Sequence, residues 1–369
     1  MGLFKSLFGN PSPKQDSGTT QTDLALAERL PAGPINAYAT VAGAPAPEFP
    51  HRPFGTRDRS DPELLPHLQG FAGYVFNPAQ RQPRQSEWAL LNHALRTQRH
   101  FSFEIDVTAV PALAEWARRA NAILFLADGT VRDPELRILF DPAGGDEDGR
   151  LPYPADAEAR RQRSRAQAEA EFGLRSPDSL PPMIGAGEVV FRPAPEVAAR
   201  ASALMAVAVR AEGQNEGNPL PPEMILERIP LAEAALSPAE RAFLFDEAPD
   251  GQAVANALWR YEALTALLWA LDEIDALPAL SSICDVPLIA GLMVRRGAAL
   301  ATGARLRDPS KILDALDLTF RLHWCLVDAR QKGVEIPGIV PGVITERHYA
   351  FNWLVRHHDA EWDDVQTPT

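Results

Sequence analysis

The segment ALTALLWAL, at residues 263–271, is the feature that most restricts how this chain can fold. Its apolar side chains recur on every face of a helix, so a helix here must be covered by other elements on all sides. We predict a long helix over residues 251–275 with this segment at its middle, and a second central helix over residues 309–332. Two such helices require other helices around them, which predicts an all-helical domain at residues 190–369.

The preceding part of the chain, residues 33–145, mixes strand and helix patterns. In FSFEIDV, which begins at Phe101, apolar residues alternate with Ser, Glu and Asp, as in a half-buried strand. Strands are predicted at residues 35–41, 101–107, 122–126 and 136–140, with the last two paired, and helices at residues 62–74, 86–97 and 112–120. The predicted fold class is α+β: a small N-terminal mixed α/β domain with a mainly antiparallel sheet, followed by an all-α C-terminal domain.

Two further segments lie outside these domains. Residues 1–32 begin with an amphipathic turn, GLFKSLF at residues 2–8, and continue as a polar tether. Residues 146–189 form a Pro/Gly-rich connector that includes one charged helix, predicted at residues 155–172. The chain has 369 residues, and single hydrophobic cores stop growing at about 250–300 residues, so two domains fit its length.

The charge and the cysteines restrict the partners and the compartment. A net charge of −13 disfavours nucleic acid, because an acidic chain repels the phosphate backbone unless it has a local basic patch. The basic cluster from Arg160 to Arg165 lies among Glu and Ala and is typical of a solvated helix face. Cys284 and Cys325 lie among apolar residues without a CxxC motif, which indicates reduced thiols. With the Ala-, Arg- and Pro-rich composition, this predicts a bacterial cytoplasmic protein.

The sequence contains no run of 18 or more apolar residues, so we predict no transmembrane segment. Its N-terminus also lacks the apolar region of about 7–15 residues that a secretory signal needs. The apolar side chains within residues 2–8 fit about one and a half turns of amphipathic helix. This turn is expected to dock on the protein or to make weak contact with a membrane surface.

Ionisable and polar residues interrupt the apolar pattern of the C-terminal domain. Burial of an unpaired charge is costly, so these groups either face water or pair with one another. We favour a structural network, with Arg260 paired to a carboxylate of the second central helix and Arg321 paired to Asp317 or Glu262. The predicted members of this network are Arg260, Glu262, Asp314, Asp317, Arg321, Asp328, Arg347 and Asn352.

The same region offers an alternative, a polar cleft between the central helices and the last helix. His348, in the last helix ERHYAFNWL, is a candidate general base that Glu346 or a tail carboxylate would orient. The competing interpretation is a histidine that locks the chain end by a structural hydrogen bond. The candidate catalytic residues for the cleft are Asp317, Arg321, His323, Glu346, His348 and Asp363.

The tail HHDAEWDDV, which begins at His357, combines metal-capable side chains with one tryptophan. The sequence contains neither an HExxH motif nor paired CxxC motifs, so we expect no metal site and no cofactor. Trp362 is expected to be buried despite its acidic neighbours, which would fold the tail back onto the domain.

A series of motifs between Leu236 and Thr369 resembles an uncharacterised bacterial family, a domain of unknown function. These motifs are LSPAERAFL, WRYEALTALLWAL, ILDALDLTFRLHW, DAR-x-x-G, ERHYAFNWL and WDDVQTPT. The resemblance covers roughly the C-terminal half, and the adjacent His357 and His358 are not part of the family's pattern. The segment beginning INAYA, at Ile35, is similar to the region that accompanies this domain in longer members. The resemblance implies no activity.

Three functional hypotheses follow from the sequence. The leading one is a cytosolic protein-interaction or regulatory module without catalysis, which binds a protein partner or forms a homo-oligomer. It rests on the acidic charge and on the lack of a nucleophile–base, metal or phosphate-binding signature. The alternative is a hydrolase or small-ligand-binding enzyme that uses the polar cleft. The third is a regulatory protein held at a membrane surface by residues 2–8.

Overall fold

A computed structural model describes residues 26–76 and 84–369. The amphipathic turn predicted at residues 2–8 lies outside the described residues. The chain divides into two compact units, residues 1–152 and residues 153–369. Within the described parts of both units, no helix combines the length and the apolar character that crossing a membrane requires.

The N-terminal unit contains six short strands and three helices among its described residues. Its strands are β1 (Ile35–Ala39), β2 (Arg52–Asp58), β3 (Arg99–Glu104), β4 (Ala122–Phe125), β5 (Val131–Arg132) and β6 (Ile138–Phe140). Its helices are α1 (Leu64–Val75), α2 (Gln85–Leu95) and α3 (Val110–Ala120).

Within the described residues, the strands form one sheet in the order β2-β3-β1-β4-β5-β6, and every neighbouring pair is antiparallel. This confirms the predicted α+β class with its antiparallel sheet. The predicted direct pairing of the strands near residues 122–126 and 136–140 is wrong, because β5 lies between β4 and β6. The edge strand β2 was not predicted, since RPFGTRD contains Pro and Gly and lacks alternating apolar residues.

The sheet has an apolar cluster on each face. On one face, α3 packs Trp116 against Phe101 and Phe103 of β3. On the other face, α1 and α2 contribute buried residues to the cluster that contains Tyr38. His100 lies on this second face, where its ring contacts Tyr38. The alternation along β3 therefore directs two aromatic residues to one side and His100 to the other.

The C-terminal unit is helical. Its helices are α4 (Ala155–Phe172), α5 (Ala194–Asn215), α6 (Pro222–Arg228), α7 (Pro238–Phe245), α8 (Gly251–Leu258), α9 (Arg260–Ala270), α10 (Val286–Arg296), α11 (Pro309–Gln331) and α12 (Pro341–Leu354).

Helix α9 is the buried centre of this unit. All of its residues from Tyr261 to Ala270 are buried, as the all-round apolar pattern predicts. It packs against α5 and α12, while α11 packs against α12 and α4. The largest apolar cluster of the unit surrounds α9 and reaches Trp362 and Val365 in the tail.

Two helix boundaries differ from the sequence prediction. The residues at these two boundaries, Trp259 and Gly342, contact each other. The helix predicted over residues 251–275 is divided into α8 and α9 at Trp259, and the last helix begins at Pro341 instead of residue 346. Gly342 lies directly against the Trp259 ring, and a Cβ atom there would be only 2.5 Å from that ring. Helix α12 can begin at Pro341 because proline is tolerated in the first turn of a helix. Gly342 follows in the same turn, and its missing side chain leaves room for the Trp259 indole.

Candidate functional site

The predicted Asp317–Arg321 pair is present and completely buried within α11. The Arg321 guanidinium donates to both carboxylate oxygens of Asp317, with distances of 2.8 and 2.9 Å. Both side chains have 0% of their surface exposed. Arg321 also donates to the Pro181 carbonyl, and Asp317 accepts a hydrogen bond from the Met183 backbone N–H. The pair therefore fastens the segment before α5 to α11.

The predicted His323 and His348 contact each other through the same ring atom. Their Nδ1 atoms are 2.8 Å apart, and the rings cross at nearly a right angle. One Nδ1 must donate and the other must accept, so the two rings have different tautomers. Burial, with the nearby His323 and His357, lowers the pKa of His348 to about 3. Burial also lowers the pKa of His323, so a neutral pair stabilises the packing of α11 on α12.

Glu346 and Asp363 hold other parts of the helical unit. Glu346 accepts a 3.0 Å hydrogen bond from Arg260, so the partner of Arg260 is a carboxylate of α12 and not of α11. Burial raises the pKa of Glu346, although the charge of Arg260 acts in the opposite direction. Asp363 accepts from the backbone N–H of Ala239 in the first turn of α7. Asp363 is therefore placed as a helix cap.

The acidic tail folds back through Trp362, as predicted. This residue is buried, and its ring packs against Trp353. The Arg200 and Arg260 guanidinium groups lie 4.8 and 5.8 Å from the Trp362 ring centroid. The Tyr349 hydroxyl donates to the Trp362 carbonyl. Cation–π and hydrogen-bond contacts thus secure a segment whose neighbours are carboxylates.

The remaining members of the predicted network form separate contacts. Glu262 accepts from the Cys284 backbone N–H at 2.5 Å, and burial raises the pKa of the Cys284 thiol to about 12. Arg347 donates to the Pro278 carbonyl, and Asn352 donates to the Gln366 carbonyl.

Asp314 and Asp328, near the two ends of α11, form ion pairs with basic side chains. The Asp314 carboxylate accepts from Arg160 and Arg163 of α4, at 3.1 and 2.9 Å. Asp328 pairs with Lys332 at 2.7 Å. The six candidate catalytic residues are therefore divided among four contacts: the Asp317–Arg321 pair, the histidine pair, the Arg260–Glu346 pair and the Asp363 cap.

A concave site lies in the N-terminal unit instead, on the sheet face that carries His100. This pocket has a volume of about 410 Å³. Its lining residues are Asn36, Phe54, Gly55, Thr56, Arg57, Asp61, Glu63, His67, His100 and Ser102. The rings of His67 and His100 lie against each other at a tilt of 46°, with their centroids 4.2 Å apart. Within the described part of the chain, no three His, Cys, Asp or Glu side chains are grouped so that they could hold a metal ion.

Hydrogen bonds set the tautomer of His100, and burial keeps both histidines neutral. Arg57 donates to His100 Nδ1 at 3.5 Å, so the proton of the neutral His100 ring is on Nε2. This Nε2 donates to the side-chain oxygen Oδ1 of Asn36 at 3.1 Å. Burial, together with the charges of His67 and Arg57, lowers the pKa of His100 to about 3. Tyr38 contacts His67 Nε2 through its hydroxyl at 3.1 Å, and burial raises the Tyr38 pKa. Burial and Arg57 lower the pKa of His67.

Sequence reasoning missed this pocket because its residues come from β1, β2, α1 and β3 and share no local motif. The predicted strand began at Phe101, one residue after His100. The alternation H-F-S-F extends to His100 and was the available signal, since it sets His100 and Ser102 opposite two phenylalanines.

The sequence model of a protein family, described as a domain of unknown function (DUF4272), matches residues 160–365. The chain belongs to this family. The match spans more than half of the 369 residues and includes the histidine pair and Trp362. It does not include the pocket, which lies before the DUF4272 domain. No curated protein and no solved structure matches the chain significantly.

Acidification should destabilise the DUF4272 domain through His348. The folded-state pKa is about 3, whereas an unfolded histidine titrates near 6.5, so between these values the unfolded chain binds the additional proton. The contribution of His348 to the free energy of unfolding is therefore fully present above about pH 6.5. It is lost as the pH falls towards about 3, by up to about 1.4 kcal/mol per pH unit. Urea unfolding at a series of pH values across this window measures the slope.

His348→Asn separates this titration from packing. An asparagine amide offers a hydrogen-bonding group near the position of Nδ1 but does not titrate, so the pH slope should fall by about one proton. His358→Asn, at an exposed position, is the control and should keep the wild-type slope. An unchanged slope in His348→Asn would show that His348 is not held neutral.

Proposed function

We propose that the DUF4272 domain is a protein-interaction module without catalysis, which pairs with a second copy of the chain through the exposed face of α10. The observation that carries this proposal is the apolar character of that face. Val294 is 78% exposed and Leu288 is 57% exposed, although both are helical and apolar. The candidate catalytic side chains bind other parts of the domain, which favours a scaffold over an enzyme.

The opposite face of α10 is fixed in the core, so the orientation of the helix is defined. Ile289 and Met293 are buried and belong to the central apolar cluster. At 100° per residue, the outward direction falls on Gly291, with Val294 on one side and Leu288 on the other. The outward face therefore carries two exposed apolar side chains, with Arg295 between Gly291 and Leu288, while the inward face is buried.

Gly291 at the centre of the outward face supports close approach by a partner. Glycine inside a helix costs about 1 kcal/mol relative to alanine. The packing of this chain does not require it, because a Cβ atom at Gly291 would contact only the flexible end of Arg295, at 3.3 Å. A second helix that crosses at Gly291 gives this residue a structural purpose.

Charge complementarity favours a second copy in an antiparallel arrangement. A two-fold axis at Gly291 sets Leu288 of one copy against Val294 of the other, and the reverse, as isologous pairing requires. It also brings Arg295 of each copy within about one helical turn of the other copy's Asp285. Asp285 caps the N-terminus of α10 by accepting from the Leu288 N–H at 3.0 Å. The patch therefore places apolar residues opposite apolar residues and opposite charges near each other.

Val294→Glu is expected to convert a dimer into a monomer, because it places two carboxylates in an apolar contact. Size-exclusion chromatography with light scattering, over a dilution series of the full chain, measures this change. Val334→Glu is the matched control, since Val334 is 57% exposed but lies outside α10. It should leave the dimer intact.

A wild-type chain that is monomeric at high micromolar concentration would contradict pairing with a second copy. Dissociation of the dimer by both glutamate variants would move the interface away from α10. A dimer that survives Val294→Glu would have the same consequence.

We further infer that the module works in the bacterial cytoplasm and does not bind nucleic acid. Both cysteines are buried free thiols, which suits a reducing compartment. The net charge of −13 opposes contact with a phosphate backbone. Fractionation of the native host, followed by detection of the protein in the soluble cytoplasmic fraction, tests the location.

A further inference from the structure

The pocket of the N-terminal unit combines a guanidinium, two adjacent histidines and two carboxylates around one cavity. We propose that this pocket binds a small zwitterion of the amino-acid class, with the ligand carboxylate at Arg57 and the ligand ammonium at Asp61 and Glu63. This proposal is independent of pairing through α10, since it concerns the other unit of the chain.

Arg57 is the anchor for the carboxylate. Among the described residues it makes no ion pair, and its hydrogen-bond partner is a neutral imidazole, His100. A guanidinium that lines a pocket without a carboxylate partner retains donors for a planar oxyanion, which it binds in bidentate geometry.

Neighbouring groups extend the donor set around Arg57. Asn36 accepts from His100 Nε2 through its side-chain oxygen Oδ1. Its side-chain nitrogen Nδ2 is therefore directed away from His100 and can donate to a ligand. The Ser102 hydroxyl lines the same cavity, one alternation along β3 from His100. Because Arg57 fixes the tautomer of His100, the anchor also fixes the orientation of the Asn36 donor.

The carboxylates determine which oxyanion fits. Asp61 accepts from the Glu63 backbone N–H through Oδ1 at 2.9 Å, and both acidic residues line the pocket. With both histidines neutral, one guanidinium and two carboxylates give the pocket a net negative charge. A phosphate dianion would be repelled, whereas a zwitterion satisfies both signs at once.

The dimensions suit a ligand of this size. A volume of about 410 Å³ lies near the lower end of the roughly 300–1,000 Å³ of small-molecule sites. Phe54 forms an exposed aromatic wall, and the Arg52 guanidinium lies over its ring at 5.1 Å. This wall offers an apolar surface to the side chain of an amino acid.

Isothermal titration calorimetry on the full chain tests the proposal. The probes are the individual proteinogenic amino acids, the matching hydroxy acids, simple alkylammonium ions and inorganic phosphate. At least one amino acid should bind, and its hydroxy acid should bind at least tenfold more weakly because it lacks the ammonium. Arg57→Gln should abolish binding, whereas Arg119→Gln, at an exposed position in the same unit, should preserve it.

A second variant tests the cation half without disturbing the sheet. In the double variant Asp61→Asn and Glu63→Gln, the amides keep hydrogen-bond acceptors but lose both charges. The preference for an amino acid over its hydroxy acid should then fall to within about threefold. Binding of phosphate in preference to amino acids would overturn the zwitterion assignment, and absence of heat with every probe would overturn the site. Wild-type affinity in a folded Arg57→Gln protein would overturn the anchor.

Discussion

Replacing Arg321 with alanine should lower the free energy of unfolding of the DUF4272 domain by about 3–5 kcal/mol. The substitution leaves the Asp317 carboxylate inside the protein with 0% of its surface exposed and without its guanidinium partner. It also removes the hydrogen bond to the Pro181 carbonyl. Chemical denaturation at neutral pH measures the loss.

The same helix supplies a matched control. Lys332 pairs with Asp328 at the same spacing as the buried pair, but its side chain is 66% exposed. Lys332→Ala should therefore cost no more than about 1 kcal/mol. The double variant Asp317→Leu and Arg321→Met should recover much of the stability, because it leaves no buried charge. Equal losses in Arg321→Ala and Lys332→Ala would contradict the buried pair.

Trp362→Ala should destabilise the domain by about 3–5 kcal/mol, the usual cost of truncating a buried tryptophan. The loss includes the packing against Trp353 and the cation–π contacts with Arg200 and Arg260. Removal of the ring also takes away what holds the tail against α12. The melting temperature should fall, and limited proteolysis should cleave near residue 357.

A conservative substitution and a surface control show whether the loss is due to the buried aromatic ring. Trp362→Phe retains an aromatic ring between the two guanidinium groups and should cost less than half as much as alanine. Val334→Ala, at an exposed position, should change stability by about 0.5 kcal/mol or less. A protease-resistant tail in Trp362→Ala would show that other contacts hold it in place.

The sequence predicts the centre of the helical unit well because burial there is required by composition alone. A helix as apolar as α9 has no stable position on a surface, so its neighbours follow from it. The Asp317–Arg321 pair is predictable for a related reason, since residues four apart on a helix contact each other. The partner of Arg260 was not predictable, because Glu346 is brought near only by the packing of α12.

Helix α10 was not predicted from the sequence, because its outward face also carries apolar residues and the usual apolar–polar periodicity of a surface helix is missing. Leu288 and Val294 are exposed, so apolar residues do not mark one face. The local signals were Asp285 at the cap position and Pro287 in the first turn. The pocket as a whole was unpredictable for a different reason, since Arg57, His67 and His100 lie on β2, α1 and β3 and meet only in the folded unit.

The tail contacts have a consequence for synthesis on the ribosome. Arg192 donates to the Trp353 and Ala360 carbonyls, and Arg200 lies over Trp362. These contacts join residues separated by more than 150 positions, so Arg192 and Arg200 can reach their partners only after nearly the whole domain has been translated. The apolar cluster around α9 is complete only once Trp362 and Val365 have been synthesised. Until then part of this cluster is exposed, and transiently exposed apolar surface is prone to aggregate.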